Sequence, residues 1–262
     1  MMRKYRHLKK RLRIKKRKPF YKKKGFWISI LLLVFFGGVF YLIFFSKVFQ
    51  IKEIRISGNE RISTEDLREL INSKIEKKFF LPTKSIFLVK LKSIEREVLN
   101  KFSLIDEAKL KRKLPNILIL EAKERRSLVI FCSLSEKCFK VDKLGIAFEE
   151  SLEKKDLAIF SQKEEEVFLG KQVIEPGYLN SILEIQKQLK DDLKIEIEKF
   201  LVSDEKLTVK TLEGFEIYFN PDNDIKDQVF NLDNILKEKI TAERRNSLEY
   251  IDLRFGNKVF YK

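Results

Sequence analysis

Residues 26–45 read FWISILLLVFFGGVFYLIFF, twenty residues without one charged side chain. At about 1.5 Å of rise per residue, a helix of that length covers about 30 Å, the thickness of a bilayer's hydrocarbon layer. Fifteen of the twenty are Phe, Ile, Leu or Val, so insertion is favoured by several kcal/mol in sum, at about 0.3 to 0.6 kcal/mol each near the helix centre. A cleaved leader needs a shorter apolar core and a small-x-small cleavage site. Ser46, Lys47, Val48 and Phe49 offer no such site, so the expectation is an uncleaved membrane anchor. Gly37-Gly38 could let another helix approach closely, but they belong to no small-xxx-small pair.

The flanking charge sets the expected orientation. The 262-residue chain carries a formal charge of +16, yet residues 1–24 hold 14 Lys/Arg and no Asp/Glu. The remainder is close to neutral, with 41 basic and 39 acidic side chains. A cationic tail ahead of the span puts the N-terminus in the cytoplasm and the bulk of the chain outside. With few apolar residues and self-repelling charge, the tail is expected to be unstructured or to lie on anionic lipid headgroups. A near-neutral body argues against nucleic acid as its partner, because a nucleic-acid-binding domain keeps its excess charge on the contacting face.

Beyond the span the chain first alternates. Ile54 and Ile56 share one face, while Phe49 and Ile51 have the opposite parity, which predicts a bulge or a strand start at Lys52-Glu53. Ser63 or Thr64 caps a helix with Glu65 and Asp66 in its first turn, where the helix dipole favours acids. Leu67, Leu70, Ile71 and Ile75 recur on one face of it. A second helix follows on Leu91, Ile94, Val98 and Phe102, then a strand on Ala108 and Leu110, a turn at Leu114-Pro115-Asn116 and a strand over residues 117–122. The order β-α-α-β-β predicts a small module with both helices on one sheet face and its last two strands antiparallel neighbours.

From Leu128 the pattern turns to strands. Residues 129–131 and 138–141 flank a polar loop, residues 142–145 form a turn, and residues 146–148 start another strand. Helices are expected over residues 179–189 and on Ile225, Val229, Leu232 and Leu236, with strands near 195–202, 207–211, 215–219, 250–255 and 259–261. The reading is α+β: tail 1–24, transmembrane helix 25–46, a first module 47–125 and a mainly antiparallel β module with flanking helices, 126–262.

Chemistry is sparse. The only histidine, His7, is in the tail, so no Ser-His-Asp or Cys-His set can form beyond the membrane, and no zinc set is available. Walker A and G-x-G-x-x-G sequences are absent. Asp191-Asp192 and Glu164-Glu165-Glu166 sit in Lys-flanked loops and read as solvated faces rather than acid–base pairs. No local motif nominates a Ser/Lys dyad. A non-enzyme without a cofactor is expected. Cys132 and Cys138 stand at mirrored positions across a hairpin; a disulfide and a pair of half-buried thiols are both open readings, since facing depends on register.

In order along the chain, VFQIKEIRISGN at 48–59, KRKLPNILILE at 111–121 followed by Glu124-Arg125, FKVDKLG at 139–145 and YIDLRF at 250–255 resemble the bacterial cell-division proteins of the FtsQ/DivIB family. The resemblance covers nearly the whole chain: basic tail, one membrane helix, a POTRA module and a β domain. Phe255 stands where the family often has Tyr, the chain given ends at Lys262 directly after its last strand, and the Cys pair is outside the family pattern. The resemblance implies a non-enzymatic scaffold of the septum-building complex that binds FtsB/FtsL-type partners, one of which adds a strand near the C-terminus. It also implies other contacts with the division complex through the POTRA module. Carried over, Phe255, Phe260 and Tyr261 would be anchors, with Arg254 and Val259 assisting. The alternative is a POTRA-bearing transport or envelope-assembly factor acting on extended client chains; such proteins usually carry several POTRA repeats or a barrel.

Overall fold

The computed structural model describes residues 23–76, 84–152, 157–163, 166–203, 206–240, 242–245 and 247–262. The tail 1–22, with His7, and the Glu164-Glu165 part of the acidic run lie outside the described residues.

The apolar run forms helix α1, Lys24–Phe45, with none of its residues buried against the rest of the chain. A helix apolar on every side and uncovered by protein belongs in lipid. Among the described residues it is the one helix long and apolar enough to cross a membrane.

The first module contains strands β1 (Glu53–Ser57), β2 (Ile105–Lys113) and β3 (Ile117–Glu124) and helices α2 (Thr64–Glu76) and α3 (Leu91–Lys101). Sheet order is β1-β3-β2, β1 parallel to β3 and β2 antiparallel to it. The parity slip resolves as a strand start at Glu53, the preceding Gln50 bridging to Ser85 instead. Ser63 Oγ accepts from the Glu65 N–H, which caps α2. Leu67, Leu70, Ile71 and Ile75 are all buried, packing with Ile94 and Val98 of α3 on Ile54, Leu110, Leu118 and Leu120 of the sheet. Leu91 and Phe102 are only partly buried, at the two ends of α3.

The second module is built on a nine-stranded sheet, in the order β12-β11-β10-β9-β8-β7-β4-β5-β6. The strands are β4 (Val129–Cys132), β5 (Cys138–Val141), β6 (Ala147–Ser151), β7 (Ala158–Ser161), β8 (Ile197–Val202), β9 (Leu207–Thr211), β10 (Glu216–Phe219), β11 (Tyr250–Phe255) and β12 (Lys258–Tyr261). Five neighbouring pairs are antiparallel; β7 runs parallel to both β4 and β8, and β10 parallel to β11. Helices α4 (Pro176–Asp191) and α5 (Ile225–Glu238) cover one face, and Ala242–Arg245 adds the short α6. Leu179, Ile182, Ile185 and Leu189 of α4 and Val229, Leu232 and Leu236 of α5 meet Phe139, Ile159, Phe200, Val209, Ile217, Ile251 and Leu253 from the strands.

Three differences from the sequence reading have physical causes. Strand β7 is not among the expected strands, because residues 158–161 are too few to show a period. Helix α4 begins three residues early, at Pro176, whose fixed φ suits a first helical position. Helix α6 has a single turn and no apolar repeat to announce it.

Candidate partner-binding edge

The two edges of the large sheet are finished differently. At β6, the segment after β7 closes the edge: Ala147 N–H donates to the Lys171 carbonyl at 2.9 Å, Gly170 N–H to the Ala147 carbonyl at 2.7 Å, and Ile146 bridges Gln172. The first module covers the same strand, with Ser103 Oγ donating to the Phe148 carbonyl at 3.0 Å. At the other end, β12 pairs with β11, and no described strand lies beyond it.

Register fixes which backbone groups that edge offers. Lys262 N–H donates to the Tyr250 carbonyl at 3.2 Å and Tyr250 N–H to the Lys262 carbonyl at 3.4 Å, while Asp252 faces Phe260. In an antiparallel pair, residues alternate between facing the partner strand and facing away. Phe260 and Lys262 therefore turn their backbone groups to β11, and Tyr261 turns its N–H and C=O outward. An outward row of this kind is what an incoming strand pairs with.

Of the five residues nominated from sequence, Val259, Phe260 and Tyr261 lie on β12 and Arg254 and Phe255 on its neighbour β11, and they do not form one cluster. Ile251 belongs to the core face, and its cross-strand neighbour Tyr261 shares that face. Val259 lies two residues away with the same parity and packs against the core, so it supports the strand more than it presents a surface. Phe260 is on the opposite face with Asp252. Phe255 meets Phe260 edge to face, ring centroids 5.4 Å apart, after a register shift between Asp252 and Phe255. Exposure is 55% for Phe255, 49% for Phe260 and 43% for Tyr261. Together with Tyr250, Asp252 and Lys258, the two Phe rings line an open concavity. Asn231 of α5 holds the β11–β12 turn, its Nδ2 donating to the Gly256 carbonyl at 3.1 Å.

Arg254 is positioned by Asp252. Its Nε donates to Asp252 Oδ1 at 2.9 Å and its Nη2 to Oδ2 at 2.8 Å. Burial works to raise the Asp252 carboxyl, but the Arg254 side-chain and backbone donors outweigh it and hold the group below its ordinary value. The guanidinium lies 5.8 Å from the Tyr218 ring centroid and 5.5 Å from that of Phe255.

Sequence reasoning missed the aromatic floor beside the edge. Tyr218 stacks on Tyr250, centroids 5.4 Å apart, and Lys206 Nζ sits 3.7 Å over the Tyr218 ring. Burial, with the hydrogen bond to Glu216 Oε2 at 3.0 Å, pushes Tyr218 up to about 12, so it stays a neutral donor at physiological pH. The available signal was parity: Tyr218 and Tyr250 are the tyrosines among core-facing Ile217, Phe219 and Ile251. Cys132 and Cys138 stand directly opposite in the β4–β5 register and are joined at 2.06 Å. Among the described residues, no three His, Cys, Asp or Glu side chains converge as a metal site.

The motifs away from this edge form the joint between modules. Glu124 Oε1 accepts from the backbone N–H groups of Glu60 (2.8 Å), Arg61 (2.8 Å) and Ile62 (3.1 Å). Arg125 pairs with Asp142 and Asp106, and its Nε donates to the Ser103 carbonyl at 3.0 Å. Asp142 Oδ1 accepts in turn from the Leu144 and Ile146 N–H groups, each at 2.9 Å.

A two-helix, three-stranded module directly after an apolar helix, leading into a sheet with no described strand beyond β12, is the arrangement of a membrane-anchored POTRA protein. Residues 49–125 match the family model for the POTRA domain of FtsQ type, which supports an FtsQ/DivIB-family protein. No curated protein matches the chain. An FtsQ-type POTRA domain ties the protein to cell division and to protein–protein contacts within it, in a family that is generally non-enzymatic.

Proposed function

We propose that the protein is a non-enzymatic scaffold of the division complex that captures FtsB/FtsL-type bitopic partners by strand addition at β12. The observation that carries this reading is the contrast between a closed β6 edge and an open β12 edge flanked by Phe255, Phe260 and Tyr261. The outward groups of Tyr261 would supply affinity. Phe260 and Phe255 on one face, and Tyr261 on the other, would select the partner's alternating side chains, as aromatics give large contact area per ordered side chain. Arg254 positions the Phe255 side and Val259 holds the strand.

In this reading the POTRA module, residues 47–125, contacts further division proteins, and the β module spans 126–262. The cationic residues 1–24 stay in the cytoplasm against anionic headgroups, the bulk of the chain lies outside the plasma membrane, and the protein gathers at the septum. The test is photo-crosslinking in dividing cells from Tyr261 and Phe260, with Phe230 on α5 as the control position. A small bitopic adduct from the first two alone is expected, together with midcell accumulation of a tagged copy. Loss of capture on truncation before Tyr250 should accompany it. Uniform envelope distribution, with adducts to extended client chains, would favour an envelope-assembly factor instead.

A further inference from the structure

The first module is fastened to the end of α1, and the fastening gathers three segments at one end of it. Ser85 Oγ donates to the Ile43 carbonyl at 3.0 Å, less than one helical turn from the last residue of α1. Ile51 N–H donates to the Lys84 carbonyl at 3.0 Å, and Ile86 N–H to the Phe49 carbonyl at 2.9 Å. Lys52 N–H donates to the Asn116 carbonyl at 3.0 Å, and Arg112 Nε to the Ile86 carbonyl at 2.7 Å. The helix exit, the loop at 84–90 and the β2–β3 turn therefore sit side by side where the apolar helix stops. Strand β1 runs away from that end, toward the second module.

This end has an unusual surface. Val48, Phe87 and Leu114 are exposed there, one from each segment. Lys47, Lys52, Lys90 and Lys113 are exposed around them. The acids at this end, Glu53 and Glu76, are each taken up by a neighbour, Arg55 at 2.7 Å and Lys84 at 2.8 Å. Single exposed apolar side chains are ordinary on a protein surface. Three of them ringed by lysine, held at the depth where a spanning helix leaves the hydrocarbon, make an interfacial pattern.

We infer that this end of the module seats on the anionic headgroups of the leaflet from which α1 emerges, with Phe87 and Leu114 entering the headgroup layer. The inference rests on α1 spanning the membrane, and it holds whichever leaflet that is. Seating would fix the tilt of the module, which a single helix with a short exit segment cannot do alone.

The test uses the full chain in vesicles of phosphatidylcholine with a minority of phosphatidylglycerol, and lipids brominated high on the acyl chain as quenchers. Trp27 is the only tryptophan, so Leu114→Trp, Phe87→Trp and the control Phe230→Trp are each made in a Trp27→Phe background. Several-fold stronger quenching of the tryptophans at 114 and 87 than of the one at 230 is expected, falling when phosphatidylglycerol is omitted. Quenching at 114 and 87 equal to that at 230 would overturn the inference, as would capture of this end by a protein partner that leaves both positions unquenched. Equal quenching without phosphatidylglycerol would overturn the assignment to anionic headgroups. Trp27 in the unaltered chain separates the two readings. If it is quenched while position 114 is not, the seating fails; if Trp27 itself is unquenched, the spanning helix fails.

Discussion

Arg61 Nη1 lies 2.6 Å from Glu149 Oε2, joining a turn of the first module to β6 of the second. The pair is the outer part of a joint whose inner part is Arg125 between Asp142 and Asp106. The two parts should differ in worth. Arg61 is exposed and Glu149 about a third exposed, and solvent-screened pairs couple by less than about 1 kcal/mol. Arg125 and Asp142 are nearly buried, and removing the guanidinium leaves a buried carboxylate without its cation. Arg125→Ala should cost about 3 kcal/mol, against a coupling below about 1 kcal/mol from an Arg61→Ala, Glu149→Ala double-mutant cycle. Urea unfolding of the four variants checks the ranking, and equal losses would count against it.

The same joint should weaken in acid. Burial acts to raise the Glu124 carboxyl, but three backbone N–H groups and the Arg61 guanidinium prevail and hold it below the ordinary 4.5. Glu149 is lowered in the same sense, burial being outweighed by Lys140 and Arg61. A depressed carboxylate adds stability that is complete above its unfolded value and is lost as pH falls through the folded one. The unfolding free energy should hold level above about pH 5 and drop below the ordinary 4.5. Glu124→Gln should be less stable at neutral pH and flatter across that acid window, as read by urea titrations at stepped pH.

Most of the fold could be read from periodicity. The faces of α2, α4 and α5 contain the expected buried residues, because repeats of three and four over three or more turns have few alternative explanations. Short strands were harder. The four residues of β7 are placed by parallel pairing with β4 and β8, a long-range relation that no local pattern encodes. The candidate edge was legible only through family motifs. Nothing in VFY at 259–261 distinguishes an open edge from an inner strand; what makes it an edge is that no described strand lies beyond β12. The aromatic floor of Tyr218 and Tyr250 depends on β10 and β11 being neighbours, although thirty residues of chain separate them.

Two glycines should tolerate no side chain. Gly58 has φ +83, and a Cβ there would lie 2.0 Å from the Ala122 carbonyl oxygen. Gly145 has φ +74, and its Cβ would lie 1.8 Å from the Ile174 carbonyl oxygen. In both places the obstacle is backbone, which cannot rotate aside. Gly170 has φ +87 with open space around it, so Gly170→Ala carries the dihedral cost alone, about 1 kcal/mol. Gly58→Ala and Gly145→Ala should each exceed that by at least about 1 kcal/mol, since backbone must move. Thermal unfolding of the three variants tests the order.

The Cys132–Cys138 bond closes a loop with a sequence separation of 6. Chain-entropy reasoning gives a short loop about 2 kcal/mol. A Cys132→Ala, Cys138→Ala double variant should lose about that much. The unaltered chain should lose a similar amount under reductant, while the double variant should be indifferent to it. A reductant effect that persists in the double variant would place the sensitivity elsewhere.

The register of β12 can be tested without any partner. Proline removes a backbone donor, which matters only where the donor is used. Phe260 faces β11, so Phe260→Pro takes away a ladder bond and should destabilise the module by at least about 1 kcal/mol. Tyr261 faces outward, so Tyr261→Pro removes a donor that the folded monomer does not spend on β11, and its unfolding midpoint should stay close to that of the unaltered chain. Partner capture should show the reverse sensitivity: Tyr261→Pro would block an incoming strand although the fold is intact, whereas Tyr261→Phe, which keeps the ring and the N–H, would not. If Tyr261→Pro unfolds the module as readily as Phe260→Pro does, the outward assignment is wrong, and strand addition at this edge loses its geometric basis.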